Sequence, residues 1–274
     1  MWIAIFSCLL LACATNQRAP APVDRSSWTL TWSDEFNAGN GSMPDRAKWV
    51  IETGGNGWGN NELEYYTNRV QNVQIQDGNL VITARREGYS DNEGVFRGYT
   101  SARLKTQGKF QQAYGRFEAR IQIPRGQGIW PAFWMMGADP DHWPNGGEID
   151  IMENIGKEPS TVHGTIHGPG YSGDKGIGSP FSLPAGTPFA DAFHVYAVEW
   201  EPNAIRFYVD DNLYATRTPA ELPKDTKWVY DHPFYILLNV AVGGDWPGNP
   251  DVTSKFPQTM LVDYVRVYQK KSGD

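Results

Sequence analysis

The chain has 274 residues, enough for one large domain or two small ones, and a formal net charge of −7 from 24 Lys+Arg and 31 Asp+Glu. A net acidic chain lacks the electrostatic footprint of a nucleic-acid or anionic-membrane binder, and a 40% hydrophobic content excludes a disordered chain. Eleven Trp, 13 Tyr and 12 Phe beside 29 Gly and 19 Pro combine strand-forming aromatics with turn punctuation, a composition that leans all-β.

Trp2 to Ala14 is apolar but too short to span a bilayer, and the polar stretch Thr15 to Ser27 follows it. This reads as a secretory leader and short linker over residues 1–27, ahead of a single domain at 28–271. Leu10-Leu11-Ala12-Cys13 resembles a bacterial lipoprotein signal, in which Cys13 becomes the lipidated first residue; a plain signal peptide is the alternative. No Lys or Arg follows Met1, which points to a start further upstream. The chain is therefore expected to be exported, as an envelope lipoprotein or secreted, with any membrane attachment running through Cys13. Both cysteines, Cys8 and Cys13, lie in the leader, so the remainder forms no disulfide.

The rest reads as strands and turns. Thr29 to Trp32 alternates, then Ser33-Asp34-Glu35-Phe36-Asn37 leads into a Gly/Asn loop. Val73-Gln74-Ile75 and Asn79 to Ala84 flank Asp77-Gly78, a hairpin signal. Gly115 to Ile123 alternates as a half-buried strand should, as do His194 to Trp200 and Ile205 to Val209. A turn at Asp210-Asp211-Asn212 then leads to Leu213-Tyr214-Ala215. Phe234 to Val242 is a longer apolar run suited to a buried strand, and Leu261 to Tyr268 closes the chain with strict alternation. Short strands at regular spacing predict one all-β antiparallel sandwich of jelly-roll type.

The chemistry concentrates in Gly146-Gly147-Glu148-Ile149-Asp150-Ile151-Met152-Glu153-Asn154-Ile155-Gly156. In a helix Glu148 and Glu153 would lie roughly 140° apart and could not share a site. In a regular strand Glu148 and Asp150 share a face while Glu153 points the other way. A β-bulge around Ile151-Met152 would return Glu153 to the acidic face and bring the two Glu carboxyls to roughly 5–6 Å, the spacing of a retaining glycosidase. Solvated strand carboxylates are the plain alternative, but three like charges on one face repel and no cation lies in the segment. A Ca²⁺ site is the other, although spacing along a strand suits an extended cleft better than a coordination sphere.

Trp130 and Trp134 are spaced to share a strand face just ahead of this segment, Trp143 precedes Glu148, and Trp246 lies in a Gly/Pro-rich loop. Exposed indoles in a row suit a sugar cleft, because pyranose C–H faces pack on them. Trp28, Trp49, Trp200 and Trp228 are assigned to core or rim. His163 and His167 share a face just after the carboxylates, without HExxH or any other zinc spacing.

GEIDIMENIG resembles the active-site signature of glycoside hydrolase family sixteen in its bulged form. WSDEF at 32–36, GGNGWGNNELEYYT at 54–67, YTSARLK at 99–105, IWPAFWMM at 129–136 and NVAVGGDWPG at 239–248 are laminarinase-like. The resemblance spans Thr29 to Gln269 and implies a concanavalin A-like jelly roll with a concave substrate cleft. It also implies retaining endo-hydrolysis of β-1,3-glucan, with or without mixed β-1,3/1,4-glucan. Glu148 is then the nucleophile, Glu153 the acid/base and Asp150 the carboxylate that tunes them. It places Asn61, Arg103 and His167 in the cleft beside Trp130, Trp134, Trp143 and Trp246. No cofactor is implied for catalysis, but a structural Ca²⁺ is, held by Asp263 and the carbonyls of Glu35 and Gly78. The polysaccharide is the expected partner of a monomer. An agarase- or carrageenase-like hydrolase and a non-catalytic glucan-binding module are the competing readings; few Lys or Arg near the motif disfavour sulfated substrates.

Overall fold

The computed structural model of the protein describes residues 26–138 and 143–271, so the leader with Cys13 lies outside the described residues. In chain order the strands are β1 (Trp28–Asp34), β2 (Val50–Glu52), β3 (Glu64–Tyr66), β4 (Val73–Gln76), β5 (Asn79–Ser90) and β6 (Phe96–Ser101). Then come β7 (Arg103–Lys105), β8 (Gly115–Gln122), β9 (Ile129–Gly137), β10 (Glu148–Glu153), β11 (Thr161–His167) and β12 (Ile177–Ser182). The last are β13 (His194–Glu201), β14 (Ala204–Val209), β15 (Asn212–Arg217), β16 (Phe234–Val242) and β17 (Gln258–Lys270). Helix among the described residues is limited to short 3-10 turns, and none is long and apolar enough to cross a membrane.

Two sheets form the sandwich. One runs β15-β14-β13-β8-β17-β5-β6-β3, with β1 on β17 and β4 on β5; the other runs β12-β11-β10-β9-β16-β7-β2. Residues paired directly across an antiparallel ladder share a face, so the register sorts the second sheet into two surfaces. Leu104, Phe133, Met135, Ile149, Met152, Ile166, Leu238 and Val240 face inward onto Phe117, Ile121, Val198 and Phe207 of the first sheet. Glu52, Arg103, Asn239, Trp134, Glu148, Asp150, Glu153, His163 and His167 share the opposite surface, hereafter the site face.

The hairpins form where the turn residues require them. Asp77 and Gly78 have φ of 51° and 74°, and Asp210 and Asp211 have φ of 47° and 65°, as a two-residue type I′ turn demands. Asn212 already belongs to β15. The long apolar run is β16, buried along its whole length.

Two expectations need correction. β8 is not half-buried, because Arg116 and Glu118, on its non-core face, are both 0% exposed. Arg116 donates to Glu118 (2.8 Å), Glu199 (3.1 Å) and Asp211 (3.1 Å), so alternation here separates an apolar core from a buried ionic cluster. The strict alternation of the last strand breaks at Asp263, where the register against β8 slips between Val262 and Tyr264.

The glycines that bracket β10 fix its ends. Gly147 has φ of 72°, and a Cβ on it would meet Val229 at 2.9 Å. A Cβ on Gly156 would lie 1.6 Å from the Gly126 carbonyl oxygen, while the Gly156 N–H donates to Ile129 O at 2.9 Å. Gly156→Ala must therefore displace backbone. It should cost about 1–3 kcal/mol, read as a lower urea midpoint at unchanged m-value.

Candidate active site

The site is built by one extra residue. Against β9, Asp150 lies opposite Trp134 and Met152 opposite Phe133, so β10 spends two steps where β9 spends one. Against β11, the pairing passes from Asp150↔Thr165 to Glu153↔His163. Ile151 and Met152 are both buried, and Glu153 returns to the face of Glu148 and Asp150, as the spacing predicts.

The two glutamates each meet a donor from a neighbouring element. The Trp143 indole N–H donates to Glu148 Oε2, and Trp130 Nε1–H donates to Glu153 Oε1 at 3.0 Å. His167, opposite Glu148 on β11, brings Nε2 to 3.0 Å from Asp150 Oδ2. Asp150 is the deepest of the three at 2% exposure. Ligand-type atoms of Glu148, Asp150 and His167 lie within 4.8 Å of one another. The group belongs to this acid cluster.

Burial dominates the electrostatics. It pushes Glu148 up to about 8, helped by the charge of Asp150 and opposed by His167 and the Trp143 N–H. It pushes Glu153 up to about 7, against His167 and the Trp130 N–H and with the charge of Glu148. Asp150 rises well above the ordinary carboxylate range, from burial first and then from Glu153. Three buried acids cannot all ionise. The order of the two Glu values is the reverse of what a nucleophile and an acid need. The carboxyls of Glu148 and Asp150 are in contact, which raises Glu148 and lowers Asp150, so the two titrate as a pair that shares one proton. Glu153 holds its own proton near neutral pH.

The remaining expected residues surround this centre. The Arg103 guanidinium stacks between Trp58 at 4.7 Å and Trp134 at 4.8 Å, with Nε donating to Glu52 at 2.6 Å. Trp246 meets Trp130 edge-on at 5.6 Å and His163 at 5.1 Å. Trp143 and Trp246 expose 47% and 37% of their surface, enough to receive a sugar. Asn61 lies further out: its amide donates to both Asp245 carboxylate oxygens at 3.0 Å, tying its loop to the loop of Trp246. Trp49 and Trp200 are core. Asp263 and Glu35 are on the first sheet's side, with Asp263 on Arg120 at 2.8 Å and Glu35 on Arg266 at 2.7 Å, and Gly78 is in its hairpin turn.

Sequence reasoning missed Glu52, Trp58, Tyr66 and Asn239. Asn239 carried a readable signal, a lone amide inside an otherwise apolar strand. Glu52 carried none, because only the pairing of β2 with β7 sets it opposite Arg103.

Comparison with known proteins agrees with this geometry. The chain is 44% identical to a beta-glucanase of Rhodothermus marinus, over 97% of this chain and 91% of that protein. Its structure matches the laminarinase catalytic domain of Thermotoga maritima with a TM-score of 0.85 and 47% identity, covering 90% of this chain and 100% of that one. It matches an endo-beta-1,3-glucanase of Pyrococcus furiosus with a TM-score of 0.85 and 49% identity, covering 90% and 96%. Residues 60–266, which include both glutamates and the bulge between them, match the model of Glycosyl hydrolases family 16, and the chain belongs to that family.

Proposed function

We propose that the protein hydrolyses β-1,3-glucan of the laminarin type internally, and mixed β-1,3/1,4-glucan with it, by double displacement with retention. The observation that carries this reading is the bulge, which sets Glu148 and Glu153 on one face with Asp150 between them. Glu148 attacks the anomeric carbon and forms a glycosyl ester as the glycosidic C–O bond breaks, while Glu153 protonates the leaving oxygen. Water then attacks the same carbon, Glu153 takes its proton, and the ester C–O bond breaks to free Glu148. The similar laminarinase of Thermotoga maritima and endo-beta-1,3-glucanase of Pyrococcus furiosus support a β-1,3-linked substrate.

A sulfated polysaccharide fits less well. Arg103 and Lys105, on the site face of β7, are both held by Glu52 at 2.6 Å. A binding module would have no use for an acid kept protonated beside a nucleophile. Export through the leader, as a Cys13-anchored lipoprotein or a secreted protein, rests on sequence; palmitate labelling in wild type and Cys13→Ser separates the two. A monomer is the proposed assembly, to be checked by sedimentation.

Glu148→Gln and Glu153→Gln should each lower laminarin hydrolysis by about 10³-fold or more at intact fold, and the wild type should release the β-anomer first. Near-wild-type turnover, or the α-anomer first by proton NMR, refutes the assignment.

Stability should carry the opposite sign. A carboxyl with a raised folded-state value stabilises fully below its unfolded value near 4.5, and that contribution is lost as pH rises through about 7 to 8. Glu153→Gln, inactive, should therefore melt at least about 2 °C above wild type at pH 8, and the advantage should vanish at pH 4. An equal gap at both pH values contradicts the raised proton affinity.

A structural Ca²⁺ at Asp263 is the finer proposal. Its carboxylate is held by Arg120 in a pair 40% exposed on both sides, weak enough for a divalent ion to displace. One carboxylate with the Glu35 and Gly78 carbonyls and water suits Ca²⁺. Saturating Ca²⁺ at a hundred times its Kd would add about 2.7 kcal/mol. EDTA should lower the melting temperature and Asp263→Ala should remove that response; an EDTA-insensitive wild type leaves Asp263 to Arg120 alone.

A further inference from the structure

The segment Gly54–Thr67 buries two carboxyl groups. Glu62 is 5% exposed and Glu64 0%, and among the described residues neither forms a salt bridge. Glu64 Oε2 accepts from the Val242 N–H at 2.6 Å, whereas Oε1 has no donor. Glu62 lies in hydrogen-bond contact with Glu64, and burial together with that neighbour's charge pushes Glu64 well up. Two carboxylates cannot both be ionised in such contact, so a proton on the orphaned oxygen of Glu64 donates to Glu62.

A row of donors points at Glu62. The Tyr66 hydroxyl donates to Glu62 Oε2 at 2.9 Å and accepts from Asn239 Nδ2 at 3.1 Å. Asn239 Oδ1 accepts from Trp134 Nε1–H at 2.7 Å. An indole nitrogen only donates, so the Asn239 amide must turn its oxygen to Trp134 and its NH₂ to Tyr66. Each bond polarises the next in the same direction. The far end of the row is the ring opposite Asp150 that carries the Arg103 guanidinium.

We propose that Glu62 is a positioning residue for glycan binding, its buried carboxyl fixing the Trp134 indole through Tyr66 and Asn239. The proposal rests on Trp134 as a sugar platform of the glucanase site argued above.

Indole ¹⁵N NMR of the substrate-free full chain, with kinetics on laminarin oligosaccharides, tests it. Tyr66→Phe removes the hydroxyl but keeps the ring that packs against Trp58 at 5.3 Å. It should move the Trp134 indole N–H resonance, assigned by its loss in Trp134→Phe, and raise KM about tenfold with kcat within about twofold. Glu64→Gln, whose amide still donates to Glu62, should keep the resonance and KM near their wild-type values. If Tyr66→Phe does not fold, Asn239→Leu interrupts the same row and carries the same expectation. A Trp134 resonance that stays in place, or a lower melting temperature at unchanged KM, overturns the proposal. A Glu64→Gln as impaired as Tyr66→Phe overturns the place given to the proton. The resonance is read without substrate, so a wild type inactive on laminarin would end the functional reading and leave the positioning row to be decided separately.

Discussion

One unpaired residue in β10 is the constraint on which the site depends. A strand alternates faces with period two, so five positions separate Glu148 from Glu153 by an odd number of steps. Without Ile151 as the extra residue, Glu153 would point into the core, and either a charge would be buried among Phe133, Met135 and Leu238 or the strand would slip. With it, Ile151 and Met152 both go inward and the carboxylates stay together. The flanking glycines hold β10 in the position where this register is satisfied, Gly147 against Val229 and Gly156 against the Gly126 carbonyl. The apolar face of the strand thus sets the spacing of the polar one.

Crowding three acids is costly, and among the described residues no Lys or Arg forms an ion pair with them; His167 at Asp150 is the one basic partner. Arg103 and Lys105 on β7 are both drawn to Glu52 on β2, two strands beyond β16. A guanidinium beside Glu153 would stabilise its carboxylate, and the proton needed for the leaving group would be lost near neutral pH. The unfavourable burial is itself the source of proton affinity, so stability and activity pull against each other at these positions. The first sheet handles charge in the opposite way: Arg116 is buried against three carboxylates, where nothing is asked of their protonation.

The sequence made local features legible and long-range ones less so. Asp77-Gly78, Asp210-Asp211, the run of β16 and the bulge are written in adjacent residues, because turn geometry and period-two alternation act over short spans. Trp130 and Trp134 sharing a face follows from the same period. β8 misled because alternation distinguishes apolar from polar but not exposed from buried, and the polar side of Arg116 and Glu118 is covered by its own ion pairs. Asn61 reads as a cleft residue by motif, yet its amide is spent on Asp245 from a loop 184 positions away. Glu52 and Tyr66 gain meaning only from register and packing, which no short window holds.

The residue chosen to stand around the acids follows from these constraints. An indole N–H orients a carboxyl oxygen without a formal charge, so Trp143 and Trp130 can fix Glu148 and Glu153 while lowering their proton affinity less than Lys or Arg would. The same ring offers an apolar face on which a pyranose packs, so one side chain both holds an acid and receives the sugar. Trp134 completes the arrangement from the other direction. Its N–H is turned away from the acids onto Asn239, its ring lies opposite Asp150, and the row that anchors it ends at the buried carboxyl of Glu62. The reactive carboxyls and the buried carboxyls of Glu62 and Glu64 are thereby kept apart, joined through Trp134, Asn239 and Tyr66 by neutral hydrogen-bonding groups.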